Sequence, residues 1–191
     1  MKKIILLLAA VATFAVAQAQ HIEFKWRGYY VVAGYDFATN LNTTEYNDRA
    51  VFHGFSAVGG FQFRKESGLG IGCSYMLDPT GAFSQLPVFV ELRSHYMRSR
   101  VSPFSSLYVG YSIPLGSSST GDNAITISKG GVVSGISVGA RYAISRKLAV
   151  NAFVGYQELY MGKVDRKTGG LLSDSEPLLF HNLKFGVGVN F

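Results

Sequence analysis

Phe185-Gly186-Val187-Gly188-Val189-Asn190-Phe191 carries an apolar side chain at every second position and finishes on an aromatic. Side chains of an extended strand point alternately to opposite faces. The stretch therefore reads as a strand with one apolar face, Phe185, Val187, Val189 and Phe191, and one face of glycine and asparagine. A half-buried strand of a water-soluble sheet alternates in the same way. The rest of the chain decides between the two, because seven further segments reaching back to Glu23 repeat the pattern.

Working backwards, the segment near Leu148–Gln157 opposes Leu148, Val150, Ala152, Val154 and Tyr156 to Ala149, Asn151, Phe153, Gly155 and Gln157. The one near Val132–Ile144 opposes Ile136, Val138, Ala140 and Tyr142 to Gly135, Ser137, Gly139 and Arg141. Near Ser102–Ile113 the apolar face is Leu107, Val109, Tyr111 and Ile113, and Pro103 suits the start of a strand, where no ladder N–H is needed. Near Phe83–Ser94, Leu86, Val88, Val90 and Leu92 oppose Glu91 and Arg93. The segment Gly68–Leu77 sets Leu69, Ile71, Cys73 and Tyr75 against Gly68, Gly70, Gly72, Ser74 and Met76, a glycine face of the kind a crowded barrel interior requires. Near Ala50–Arg64, His53, Phe55, Ala57 and Phe61 oppose Phe52, Ser56, Val58, Gln62 and Arg64. In the first, near Glu23–Asp36, Phe24, Trp26, Tyr30 and Val32 share one face; Lys25, Arg27, Tyr29 and Val31 share the other, which its charges keep away from lipid.

The connections alternate in length. Those at 65–67, 95–101 and 145–147 are short; those at 37–49, 114–131 and 158–178 are long and polar, while 78–82 is shorter than its place in the series predicts. Short turns at one end and long loops at the other, joining an even number of strands, are the arrangement of an up-and-down membrane barrel. A barrel needs apolar residues only at alternate positions, so 48% hydrophobic residues suffice, and no segment after the first twenty residues is apolar and long enough for a helical span.

Met1–Gln20 reads as an export signal, with Lys2 and Lys3 ahead of the apolar run Ile4–Val16 and a cleavage site at Ala17-Gln18-Ala19. The expected division is a signal peptide at 1–19 and a barrel domain at 20–191. Without Lys2 and Lys3 the formal charge of +6 falls to about +4. That excess is unclustered and gives no reason to expect nucleic acid as a partner. Cys73 is the single cysteine and reads as a small apolar side chain on a strand face.

The chain resembles the small eight-stranded outer-membrane β-barrels of Gram-negative bacteria, particularly the outer-membrane β-barrel domain proteins common in Bacteroidetes. The residues carrying the resemblance are Ala17-Gln18-Ala19-Gln20, Gln85-Leu86-Pro87-Val88-Phe89-Val90-Glu91-Leu92-Arg93, Ser102-Pro103-Phe104 and the terminal Phe191. The resemblance implies an all-β, eight-stranded antiparallel transmembrane barrel in the outer membrane. Outer-membrane lipids would surround it, and the barrel-assembly machinery would read Phe191.

Side chains nearly fill the interior of an eight-stranded barrel. The polar set expected there is Lys25, Arg27, Arg64, Glu91, Arg93, Arg141 and Lys184, with Gln62, Asn151 and Asn190. Removed from water, these groups must pair, with Glu91 as the central acid. The favoured role is structural or surface-interacting, through the long loops, with no catalytic or metal-binding residues and no cofactor. The alternatives are a lipid A-modifying enzyme using His53 or His181, a narrow channel or small-ligand binder using the basic interior, and a soluble carrier with its faces reversed. His53 lacks a serine on its own face, since Ser56 points the other way. Two further patterns lead nowhere. Gly116–Gly121 has phosphate-loop spacing but Asp122 where lysine is required, and Cys73 stands where a dinucleotide fingerprint needs its last glycine.

Overall fold

The computed structural model of the chain describes residues 28–42, 51–64, 66–79, 84–97, 99–115, 117–118, 123–168 and 171–191. Among them are ten strands: β1 (Gly28–Asn40), β2 (Val51–Gln62), β3 (Ser67–Leu77), β4 (Gln85–His95), β5 (Val101–Pro114), β6 (Ser117–Ser118), β7 (Asn123–Lys129), β8 (Gly131–Ala143), β9 (Ala149–Thr168) and β10 (Leu171–Asn190). All but β6 and β7 form one antiparallel ring, in which β5 passes directly to β8 and β10 returns to β1. The closing strand is the alternating stretch at the end of the chain. β10 pairs with β1 from Val32↔Asn190 to Asn40↔Asn182. Phe191 then completes the seam, its N–H donating to the Val31 carbonyl at 2.9 Å while Val31 N–H donates back at 3.3 Å. Closure leaves the ring without a free edge, which is the condition for placing strands in hydrocarbon.

The apolar faces turn outward and the charged ones inward. Ile71 is 68% exposed, and Val109 and Val187 are each 58% exposed, whereas Glu91, Arg93, Arg141 and Lys184 are buried. This is the reverse of a water-soluble carrier, whose transfer free energy would put those side chains in the middle. Each ring strand has at least the 9–11 residues that a tilted strand needs to cross a bilayer.

β1 differs from the sequence reading. Tyr29 is 86% and Val31 50% exposed, while Tyr30, Val32 and Asp36 face the interior, so its faces are exchanged. β1 starts at Gly28, whose φ of 119° lies in the left-handed region that favours glycine. Lys25 and Arg27, from which the faces were assigned, and Trp26 lie outside the described residues.

The long connections also differ. Residues 158–178, expected as a loop, belong almost entirely to β9 and β10. The two strands stay paired to Leu171↔Thr168, leaving only Gly169 and Gly170 between them. Residues 114–131 likewise contain β6 and β7, and β7 pairs with the far half of β9. Outside the bilayer a ribbon needs no apolar face, so the polar composition that suggested a loop is compatible with strands. The register shifts of β10 between Ser173 and Leu178 fall around Pro177, which cannot donate to the ladder.

Inside, the ring is layered along its axis. At the end carrying the extended hairpins, Phe52, Met76, Val133, Leu159, Met161 and Phe180 form an apolar plug with Ala38. Below it lie Val32, Val58 and Phe89, with Tyr30 and Tyr108 against them. Glycines make room for the large rings. A Cβ on Gly72 would lie 2.6 Å from the Phe89 ring, and one on Gly186 would lie 2.3 Å from the Phe153 ring. Both are well inside contact distance, so a larger residue at either position must displace the ring or the sheet.

Candidate functional site: the polar interior

The charged groups buried in the barrel, Asp36, Glu91, Arg93, Arg141 and Lys184, occupy its middle and its turn end, while uncharged Gln85, Ser112, Gln157 and Asn182 are buried toward the hairpin end. On β4 the two-residue period puts Glu91 and Arg93 on the same inward face. Arg93 Nε donates to Glu91 Oε1 at 2.7 Å, and the guanidinium lies 5.0 Å from the centre of the Phe104 ring on β5. Across the seam, Asp36 of β1 is opposite Gly186 of β10, so Lys184 is its diagonal neighbour. Lys184 Nζ reaches Asp36 Oδ2 at 2.9 Å and sits 5.5 Å from the Tyr108 ring and 5.8 Å from the Phe153 ring. The ammonium is thus enclosed by one carboxylate and two ring faces, a cage that suits a cation withdrawn from water. Asn151 Nδ2 donates to Asn190 Oδ1 at 2.7 Å, and the Ser106 and Ser137 hydroxyls bond at 2.6 Å.

Glu91, Arg93, Arg141 and Lys184 all occupy the interior, Arg141 being 1% exposed near the turn end with Gln62 and Asn190. Arg64 does not. It is exposed on the turn after β2, because that strand ends at Gln62 and the inward parity has no strand left to follow. Among the interior groups that the expected polar set omits are Asp36 and His95. Asp36 was hidden by the exchanged faces of β1, although it shares its parity with Tyr30 and Val32. His95 ends β4 two residues after Arg93 on the same face, and the alternation itself was the signal for it.

The voids between these groups are small. One of about 40 Å³ lies among Asp36, Lys184, Glu91, Arg93 and Tyr108. Another of about 20 Å³ lies among Tyr30, Gln62, Arg93, His95 and Arg141. A water needs about 10–15 Å³ by this measure, so these are places for a few waters. The apolar cluster lies above them, toward the hairpin end.

The other two candidate histidines are on the outer surface near the hairpin end. His53 Nδ1 is 3.0 Å from the Tyr35 hydroxyl. His181 is hydrogen-bonded through Nδ1 to the Tyr156 hydroxyl, and Glu158 Oε1 lies 3.6 Å from the same nitrogen. Register sets Ser134 opposite Glu158 and Glu158 opposite His181, so the carboxylate stands between hydroxyl and imidazole. A serine nucleophile needs the imidazole beside it to take its proton, and this order withholds it.

The profile of the outer membrane protein beta-barrel domain family matches residues 6–191. Comparison with curated proteins gives no match. Among solved structures, the chain is similar to Neisserial surface protein A (NspA), with 17% identity and a TM-score of 0.59 over 86% of this chain and 97% of that one. It is also similar to the outer membrane protein OprG from Pseudomonas aeruginosa, with 14% identity and a TM-score of 0.59 over 90% and 99% of the two chains. At these identities the likeness is one of fold.

Proposed function

The chain belongs to the outer membrane protein beta-barrel domain family, and from that premise we propose that it is a sealed, non-enzymatic barrel with a structural or surface-interaction role, exercised through the strands it raises beyond the ring. The observation that carries this reading is the filled interior: two ion pairs at 2.7 and 2.9 Å, voids of about 40 and 20 Å³, and an apolar cluster toward the hairpin end. A conducting barrel needs a continuous wet path, and a barrel of this strand number leaves little room for one. The chain's largest elaboration is instead the β6–β7 and β9–β10 extension, and binding is usually carried by such projections from a rigid scaffold.

Planar bilayer recording of the refolded protein tests the seal, with a flat baseline expected. Discrete, reproducible current steps would replace this reading with a channel. In cells, lipid A mass spectra with and without the chain are expected to coincide, and a shift abolished by His181→Ala would restore the enzyme alternative. The same proposal takes Phe191, which is exposed beside the seam, as the contact read by the barrel-assembly machinery. Phe191→Ala is then expected to lower the amount of folded barrel in cells while leaving refolding into vesicles unchanged; equal loss in both would make the ring a packing element instead.

A further inference from the structure

Charge is distributed unevenly along the barrel axis. The three turns at 63–66, 96–100 and 144–148 hold six basic residues and one acidic residue. The four connections at the opposite end, 41–50, 78–84, 115–130 and 158–178, hold eight acidic residues against five basic ones. From this asymmetry, and from what lies beside it on the outer face, we infer that the turn end holds one phospholipid with an anionic headgroup. Its phosphate rests on Arg100, Arg146 and Lys147, and an acyl chain lies in the groove bordered by Tyr142.

Arg100 is fixed at the lipid boundary. Its Nε donates to the Ala143 carbonyl at 3.1 Å, and its guanidinium lies 4.8 Å from the centre of the Tyr142 ring, a ring on the lipid-facing side of β8. Stacked there, the cation sits where headgroup phosphates are found, with its remaining N–H groups in the fork geometry that suits a phosphate. Arg146 and Lys147 are exposed on the next turn. That turn is held by its own bonds: Ile144 and Ser145 N–H both donate to the Leu148 carbonyl at 2.9 Å, and Ser145 Oγ accepts from Leu148 N–H at 3.1 Å.

The groove begins at the same ring. Tyr142, Val150, Val189 and Ala33 are successive cross-strand neighbours on β8, β9, β10 and β1. With Ala140 and Ala152 they floor a shallow, open depression on the outer surface, bordered on its far side by Tyr35 and Phe55. Small residues between large rings leave a trough that an acyl chain fills. Tyr142 lines the trough and carries the Arg100 guanidinium, so one molecule bearing both a negative headgroup and a chain satisfies both.

Native mass spectrometry of the full chain, folded in detergent with equal amounts of phosphatidylglycerol and phosphatidylcholine, tests this. One retained phosphatidylglycerol is expected. The triple variant Arg100→Gln/Arg146→Gln/Lys147→Gln should weaken retention on the order of 100-fold, roughly fivefold per cation removed. Ala152→Trp, which keeps the cations and fills the trough, should also lose the lipid. Each variant is read as folded protein by its heat-dependent gel mobility. Should the triple variant not fold, Arg146→Gln/Lys147→Gln on the exposed turn serves in its place, with a loss of about 25-fold expected. Equal retention of the two lipids, or undiminished retention by either charge variant or by Ala152→Trp, overturns the inference. So does a dimer that Ala152→Trp dissolves, which would put a second barrel in the trough.

Discussion

Asp36→Asn is expected to destabilise the folded barrel by about 3–5 kcal/mol, the usual cost of removing one member of a buried ion pair. The substitution changes almost no volume, so the loss is electrostatic: the ammonium of Lys184, 2.9 Å from the lost carboxylate, stays enclosed between Tyr108 and Phe153. Two rings and a void with room for a few waters offset part of the penalty, which places the expectation toward the lower end of that range. The intact pair is a weak source of stability in itself, because desolvation of both ions cancels much of their attraction. The double variant Asp36→Asn/Lys184→Met should therefore recover most of the loss. Urea unfolding from vesicles, followed by heat-dependent gel mobility, measures all three proteins in one cycle. A single variant as stable as the parent, or a double variant no better than Asp36→Asn, would show that the pair is not what holds this level of the barrel.

That pair also marks how far the sequence could be read. The period of two placed the lipid face of seven segments, from Phe55 and Ile71 to Val187, because within an unbroken strand one known residue fixes all the others. It failed for β1 (Gly28–Asn40), which was oriented by the charges of Lys25 and Arg27. Within β1 itself Tyr29, Val31, Tyr35 and Phe37 are exposed, and this apolar set orients the strand correctly where the two charges did not. The acid partner of Lys184 was lost with the wrong orientation. The apolar plug was hidden for a different reason. Phe52, Met76 and Phe180 could each be assigned inward, but whether they meet depends on their height along the axis, which is set by cross-strand register. Arg64 shows the limit at strand ends, where parity predicts a direction and the chain has already turned away. The β9–β10 ribbon was missed because polarity was taken as a sign of loop, although Thr168-Gly169-Gly170-Leu171 carries a two-residue hairpin signal.

Ile71→Arg is expected to cost about 2–4 kcal/mol in a bilayer, the range for a cation on the lipid face near the midplane. Ile71 is the test position because it lies near the middle of β3, opposite Val90 on β4 and Gly59 on β2, and its side chain is 68% exposed. In water an arginine there would change little, since exposed positions away from strained or buried features tolerate substitution to within about 0.5 kcal/mol. The same change therefore gives opposite answers for the two orientations of an alternating barrel. Lowered stability in vesicles is the expected result. The cost should also fall along one strand: on β5, Val109→Arg near the middle should be more damaging than Ile113→Arg toward the hairpin end, where an arginine can extend to the interface. A flat profile along β5, or an Ile71→Arg protein as stable as the parent in vesicles, would mean that acyl chains do not surround this face. The burial of Glu91, Arg93, Arg141 and Lys184 would then need another explanation.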